Sequence, residues 1–212
     1  PLAGRARRRR EARVSIRFYA AANYLGAMTR IAVVDNHGQF THLEQRALRD
    51  IGVDADLVDN DTPPDEVVAD VDGVVLSGGP SMDRIGHSRE YLDVDVPVFG
   101  ICLGMQLIAD ELGGTVGGGD YGGYADVDVD IVDPDDPLVG SLAPTTRVWA
   151  SHADEVKEVP PGFTLTARSD VCDVEAMSNA DDELYGVQWH PEVAHTERGD
   201  EVFENFVARC RR

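Results

Sequence analysis

Residues 97–106 constrain the fold more than any other stretch of the chain. Pro97–Ile101 reads as a short buried strand, and it runs with no linker through Gly100-Ile101-Cys102-Leu103-Gly104 into a helix over Met105–Leu112. A strand that turns directly into a helix needs glycine where the two backbones close on each other, and Gly100 and Gly104 flank the turn. This is the pattern of a nucleophile elbow, which lifts one side chain above the edge of a sheet. Cys102 holds the raised position. The helix that follows aims its positive N-terminal end at the sulfur, which suits an anionic nucleophile. The plainer reading, a buried cysteine in a β–turn–α unit, does not explain a glycine on each side at the elbow spacing.

Around this segment the chain alternates strands and helices. Arg30–Asp35 predicts a buried strand, followed by a turn at Asn36–Gly38. Phe40–Asp50 predicts a helix with Phe40, Leu43, Ala47 and Ile51 on its inner face. Val53–Val58 and Gly73–Leu76 predict two further strands. Such a βαβ rhythm argues for a parallel sheet covered on both faces. Beyond residue 120 the pattern changes to strict alternation over Ala125–Val132. Strand candidates follow at Arg147–Ala150, Phe163–Ala167, Val174–Met177 and Leu184–Trp189, with a last helix over Glu201–Cys210. The expected fold is an α/β sandwich of flavodoxin-like type, with a mainly parallel central sheet, helices on both faces and an antiparallel portion over residues 125–189.

A cysteine nucleophile needs a proton carrier and a group that orients it. Leu184-Tyr185-Gly186-Val187-Gln188-Trp189-His190-Pro191-Glu192 supplies both at a strand end. Pro191 holds His190 in extended geometry and stops the ladder, and Glu192 is close enough in sequence to fold back toward the imidazole. Acyl transfer also needs two N–H groups aimed at a developing oxyanion. The Leu103 amide follows the nucleophile directly. Val74-Val75-Leu76-Ser77-Gly78-Gly79-Pro80 ends a strand in a glycine pair from which Gly79 offers the second.

Gly-Ile-Cys-Leu-Gly-Met-Gln, Leu-Ser-Gly-Gly-Pro and Gly-Val-Gln-Trp-His-Pro-Glu together resemble, in order and spacing, the three signature blocks of class I glutamine amidotransferases. The resemblance implies that Cys102 attacks the side-chain amide of glutamine, that His190 serves as acid and base, and that Glu192 orients it. It implies that Gln106 helps hold the substrate. Trp149–Lys157, which contains Ser151-His152-Ala153-Asp154, together with Val174–Met177 and Val193–Thr196, looks like GMP synthetases of the archaeal form, whose glutaminase is a separate chain. Ala153 departs from the glycine of many members. On this resemblance Ser151 and His152 line the substrate mouth, and Asp154, Glu155 and His195 are candidate contacts for a partner. That partner would be an ATP-pyrophosphatase subunit, in a heterodimer or larger assembly, which aminates xanthosine monophosphate with ATP and Mg²⁺. This chain holds no Ser-Gly-Gly-x-Asp-Ser nucleotide loop. No cofactor and no metal are expected in it. The alternatives are the glutaminase subunit of anthranilate or carbamoyl phosphate synthesis, a free-standing cysteine hydrolase, and a catalytically silent binding subunit. The Val193–Thr196 extension argues against the first and the complete cysteine, histidine and glutamate set against the last.

Charge bounds the partners further. Residues 1–27 hold seven of the 19 basic residues and one of the 39 acidic ones, leaving 12 basic and 38 acidic residues over 28–212, a net of −26. The basic stretch 1–27 is expected to be an upstream-start artefact or a disordered extension, and 28–212 the amidotransferase domain. A field of that sign repels nucleic acid and anionic membrane. No apolar run approaches the roughly 18 residues of a membrane span. Three cysteines with no zinc or disulfide spacing fit a reducing cytoplasm; Cys172 and Cys210 read as structural. With 26 aspartates and Lys157 as the single lysine, the composition suits a high-salt interior. The Debye length shrinks from about 10 Å at 0.1 M salt to about 3 Å at 1 M, so salt relieves self-repulsion that 12 basic residues cannot. The midpoint of thermal unfolding, measured between 0.1 M and 3 M KCl, is expected to climb steeply. A flat profile at neutral pH would reject the halophilic reading.

Overall fold

The computed structural model describes residues 28–211; the expectation placed on residues 1–27 lies outside the described residues. Among the described residues nine strands form one sheet: β1 (Arg30–Asp35), β2 (Asp54–Asp59), β3 (Gly73–Leu76), β4 (Val98–Ile101), β5 (Thr115–Ile131), β6 (Thr145–Glu158), β7 (Thr164–Ser169), β8 (Ala176–Asn179) and β9 (Leu184–Val187). Three α-helices accompany them: α1 (Thr41–Asp50), α2 (Leu103–Glu111) and α3 (Gly199–Cys210). The strand order is β2-β1-β3-β4-β9-β8-β7-β5-β6.

The sheet is mixed, not mainly parallel. From β2 to β9 every pairing is parallel, and from β9 to β6 every pairing is antiparallel. The cause is the distribution of crossovers. A parallel return needs a crossover long enough to span the sheet face, and α2 is the last helix before α3. The intervening strands are joined by connections that hold no α-helix and return antiparallel. The antiparallel half also begins earlier than the alternation at Ala125 suggests, because β5 starts at Thr115 and pairs with β6 through a glycine-rich stretch with a register shift between Gly118 and Gly123. Glycine has low strand propensity and carries no alternation to read.

Helices cover both faces, and successive residues of the parallel strands feed two cores. Ile31, Val33 and Phe99 pack with Leu48 of α1 and Phe203 and Phe206 of α3. Val34, Val74 and Val98 pack with Met105, Leu107 and Ile108 of α2, together with Tyr91 and Leu92. The Phe99 ring lies 5.4 Å from Phe206 and 6.1 Å from Phe203, centroid to centroid. Burying a side chain of this size contributes about 1.5–3 kcal/mol. One helix face differs from expectation. α1 buries Thr41, Glu44 and Leu48, and Leu43 is exposed. Of the expected apolar face, Ala47 and Ile51 pack against the edge of the core and Leu43 faces solvent, while a glutamate occupies an inward position. Among the described residues no helix is long and apolar enough to cross a membrane.

Candidate active site

Three adjacent parallel strands bring the three sequence blocks to one place. β3 pairs with β4 so that Leu76 lies beside Gly100, and β4 pairs with β9 so that Ile101 lies beside Val187. The residues that follow each strand therefore emerge side by side at the carboxyl ends. Cys102 takes φ 50° and ψ −104° at the head of α2, a backbone conformation that costs on the order of 1–3 kcal/mol in a residue with a Cβ. It is held there by its N–H, which donates to the Val187 carbonyl at 2.9 Å, and by its carbonyl, which accepts from Gln106 N–H at 3.1 Å. The glycines are needed for contact. A methyl on Gly100 would meet the Gly104 backbone, and one on Gly104 would run into the Leu76 carbonyl.

His190 is fixed through its backbone. Its N–H donates to the Trp149 carbonyl at 3.0 Å, and its own carbonyl accepts from Thr196 Oγ1 at 2.6 Å. Thr196 Oγ1 in turn accepts the Trp149 N–H at 3.0 Å. The ring Nδ1 lies 2.6 Å from Glu192 Oε1, and Phe40 packs edge-on at 4.9 Å between centroids. Burial alone would push the imidazole down. Hydrogen bonds to Cys102 and Glu192, with the Glu192 charge, outweigh that and lift it to about 10. At neutral pH the ring is an imidazolium between sulfur and carboxylate. The Glu192 side chain is 0 % exposed.

The glycine loop completes the wall. Ser77 Oγ donates to the Gly78 carbonyl at 2.8 Å and accepts from Asn36 N–H at 2.9 Å. With the Gly78 carbonyl held, the planar 78–79 peptide directs the Gly79 N–H the opposite way. A methyl on Gly79 would sit 2.6 Å from Leu103 Cδ2, so the two residues that carry the candidate oxyanion donors pack against each other. The Leu103 amide, at the first position of α2, lies outside the intrahelical ladder.

Two clefts meet at Cys102. One, of about 420 Å³, is lined by Gly79, Leu103, Gln106, Ser151, His152 and Asp154. The other, of about 340 Å³, is lined by His37, Phe40, Glu44, Gly78 and His190. Both lie within the size range of small-molecule sites. Gln106 Nε2 donates to the Asp154 carbonyl at 2.6 Å and to Gln188 Oε1 at 3.3 Å, while Gln188 Nε2 donates to the Cys102 sulfur at 3.6 Å. Burial lowers His152 and keeps it neutral. Asp154 and His195 are exposed, and the His195 ring lies 5.2 Å from Trp149. Glu155 is not brought to the surface as a partner contact requires. Its side chain is 5 % exposed and accepts from Lys157 Nζ at 2.6 Å, at a point of β6 where the alternation breaks and Glu155 and Val156 are buried in succession. Burial pushes the thiols of Cys172 and Cys210 up, so neither is a nucleophile at neutral pH. Among the described residues no group of three or more His, Cys, Asp or Glu side chains is placed to hold a metal ion.

Sequence reasoning passed over Gln188 and Glu44. Gln188 stands inside the His190 block and was legible as its neighbour. Glu44 carried one signal, a carboxylate four residues after Phe40 and four before Leu48, on the face that the helix buries.

A sulfur at a strained turn, facing an imidazole and the Leu103 and Gly79 amides, is an arrangement suited to acyl transfer through a covalent thioester. Fold and site together define a cysteine-dependent acyl-transfer enzyme of the α/β class. The chain matches the family described as glutamine amidotransferase class-I over residues 32–210. It is 78 % identical over 183 residues to a Haloarcula marismortui protein named as a subunit of GMP synthase (glutamine-hydrolyzing), covering 86 % of this chain and 96 % of that protein. It is 73 % identical over 183 residues to the protein of the same name from Haloquadratum walsbyi, covering 86 % and 100 %. A solved structure of a Thermoplasma acidophilum protein described as a GMP synthase subunit superposes with a TM-score of 0.83 at 37 % identity, covering 88 % of this chain and 96 % of that one. The chain belongs to the class-I glutamine amidotransferase family.

Glu192→Gln is expected to reduce kcat for glutamine hydrolysis by about 10- to 100-fold, and Cys102→Ala and His190→Ala by about 10⁴-fold or more, since orientation of a base is a smaller contribution than the nucleophile or proton carrier. Steady-state kinetics of the three folded variants check this; equal losses in all three would overturn the ranking.

Proposed function

We propose that this chain is the glutamine-hydrolysing subunit of a GMP synthase, releasing ammonia for a separate ATP-pyrophosphatase chain that aminates xanthosine monophosphate. The observation that carries the reading is the Cys102 elbow beside a His190 ring bound 2.6 Å from Glu192. The relatives named as GMP synthase subunits, matched over 96 % and 100 % of their lengths, support the choice of product pathway. ATP and Mg²⁺ belong to the partner in this account, and the compartment is the cytoplasm. Residues 28–212 form the catalytic domain, and residues 1–27 take no part in it.

The cleft that holds Gln106, Ser151 and His152 receives glutamine. Cys102 Sγ attacks the side-chain amide carbon, and the oxygen becomes an oxyanion that accepts from the Leu103 and Gly79 amides. His190 gives its proton to the amide nitrogen as the C–N bond breaks, which releases ammonia and leaves a thioester on Cys102. Water then attacks the thioester as His190 takes its proton. The C–S bond breaks, glutamate departs and the imidazolium is restored. Glu192 holds Nδ1 throughout, which keeps the other nitrogen toward sulfur. Gln106 spends its amide donors on Asp154 and Gln188, which leaves its oxygen for the substrate.

In the complex reconstituted with its synthetase chain, Cys102→Ala is expected to abolish GMP formation from glutamine and to preserve GMP formation from added ammonia. Loss of both activities in an assembled complex would contradict the proposal, as would unimpaired use of glutamine.

A further inference from the structure

Glu44 is an acidic side chain in an apolar position. α1 turns it inward, and it is 0 % exposed. Its Oε1 accepts from Gly78 N–H at 3.3 Å, whereas its Oε2 is buried with no hydrogen-bond partner. Glu192 shows the same asymmetry, with Oε1 on His190 and Oε2 buried and unpartnered. The charged groups that face Glu44 are Glu192 and His190 from the segment after β9 and Asp35 from the end of β1. One imidazolium can offset one carboxylate. A second carboxylate buried beside it is uncompensated, and such a group takes up a proton instead.

We propose that Glu44 is a positioning residue: a neutral carboxyl group that holds the Gly78 amide, and with it the glycine loop beside Cys102, while leaving Glu192 as the single charge that orients His190. The inference rests on the reading of this site as a glutaminase. Ser77 holds the carbonyl of Gly78 and Glu44 holds its N–H, so two consecutive peptide planes are fixed and the direction of Gly79 N–H follows. Without Glu44 the Gly78 amide loses its partner, and the loop is released to turn. The electrostatics run the same way. Burial first, then the Glu192 charge, and more weakly Asp35, push Glu44 well above the usual carboxylate range, against the opposing pull of the Gly78 amide and His190.

The test compares wild type, E44Q and E44L as full chains in high salt, by steady-state glutamine hydrolysis across pH and by thermal melting. A glutamine amide reproduces the neutral acceptor and a leucine does not. E44L is expected to lose about 10- to 100-fold in kcat, a fraction of what a lost oxyanion donor costs, with KM for glutamine changed less than about threefold. E44Q is expected to rescue kcat to within about threefold of wild type and to keep the same pH profile of kcat/KM. E44L as active as wild type would overturn the inference. So would E44Q as slow as E44L, or an E44Q profile whose His190 limb moves to lower pH, because that shift reports a lost negative charge. If E44L fails to fold, the E44Q rate and pH profile decide alone. A wild type whose hydrolysis survives Cys102→Ala would sink the glutaminase reading itself, a result distinguishable from any of these.

Discussion

The imidazolium of His190, buried between the Cys102 sulfur and the Glu192 carboxylate, is the interaction on which the rest of the structure depends. A cation removed from water is stable only beside an anion with good hydrogen-bond geometry, and the 2.6 Å contact to Glu192 supplies it. The imidazole must therefore arrive from the strand next to the elbow, with its carboxylate folded behind it. β9 meets this need by pairing in parallel with β4. It reaches that place from an antiparallel hairpin with β8. The junction of the two half-sheets is thus the position where Cys102 and His190 are adjacent.

The same constraint accounts for the backbone around the site. The strained φ of Cys102 persists because α2, the Val187 carbonyl and the close packing of Gly100 and Gly104 leave it no alternative. The second half of the sheet has a corresponding role. β6 carries Trp149, whose N–H and carbonyl hold Thr196 and His190, and then Ser151 and Asp154, which border the larger of the two clefts at Cys102. Further along β6, Lys157 is committed to the inward Glu155 carboxylate. Beyond it, burial lifts Glu175 to about 7. The excess negative charge of this chain is thus largely a property of its surface, with a few buried acids individually accommodated. Two of the relatives described above come from halophilic archaea, in keeping with that composition.

How far the sequence could be read depended on whether a feature was local. The elbow, the glycine pair and the His190 block are each set by a few neighbouring residues, and each lies where its local pattern put it. β1 and β3 were legible to the residue, because buried parallel strands are uninterrupted apolar runs. The mixed sheet was not, since strand direction follows from crossovers and not from any strand's own residues. The start of β5 was hidden by glycines without alternation. On α1 the inner face was legible at Ala47 and Ile51 but not at Leu43, which is exposed, or Glu44, which is buried. A carboxyl group looks like a surface residue until the second carboxylate and the imidazolium around it are known. Gln188 stood in plain view inside the His190 block, but its contact with the sulfur follows only from the register of β4 against β9.

The charge state of His190 is the most direct test of this account. It can be followed by nitrogen NMR of histidine-labelled full-length protein at high salt, with the His190 signal assigned by its loss in His190→Gln. The account predicts an imidazolium that persists through pH 8 and titrates near 10, with a lower midpoint in Glu192→Gln. A His190 that titrates near 6.5, like a solvated imidazole, would contradict it.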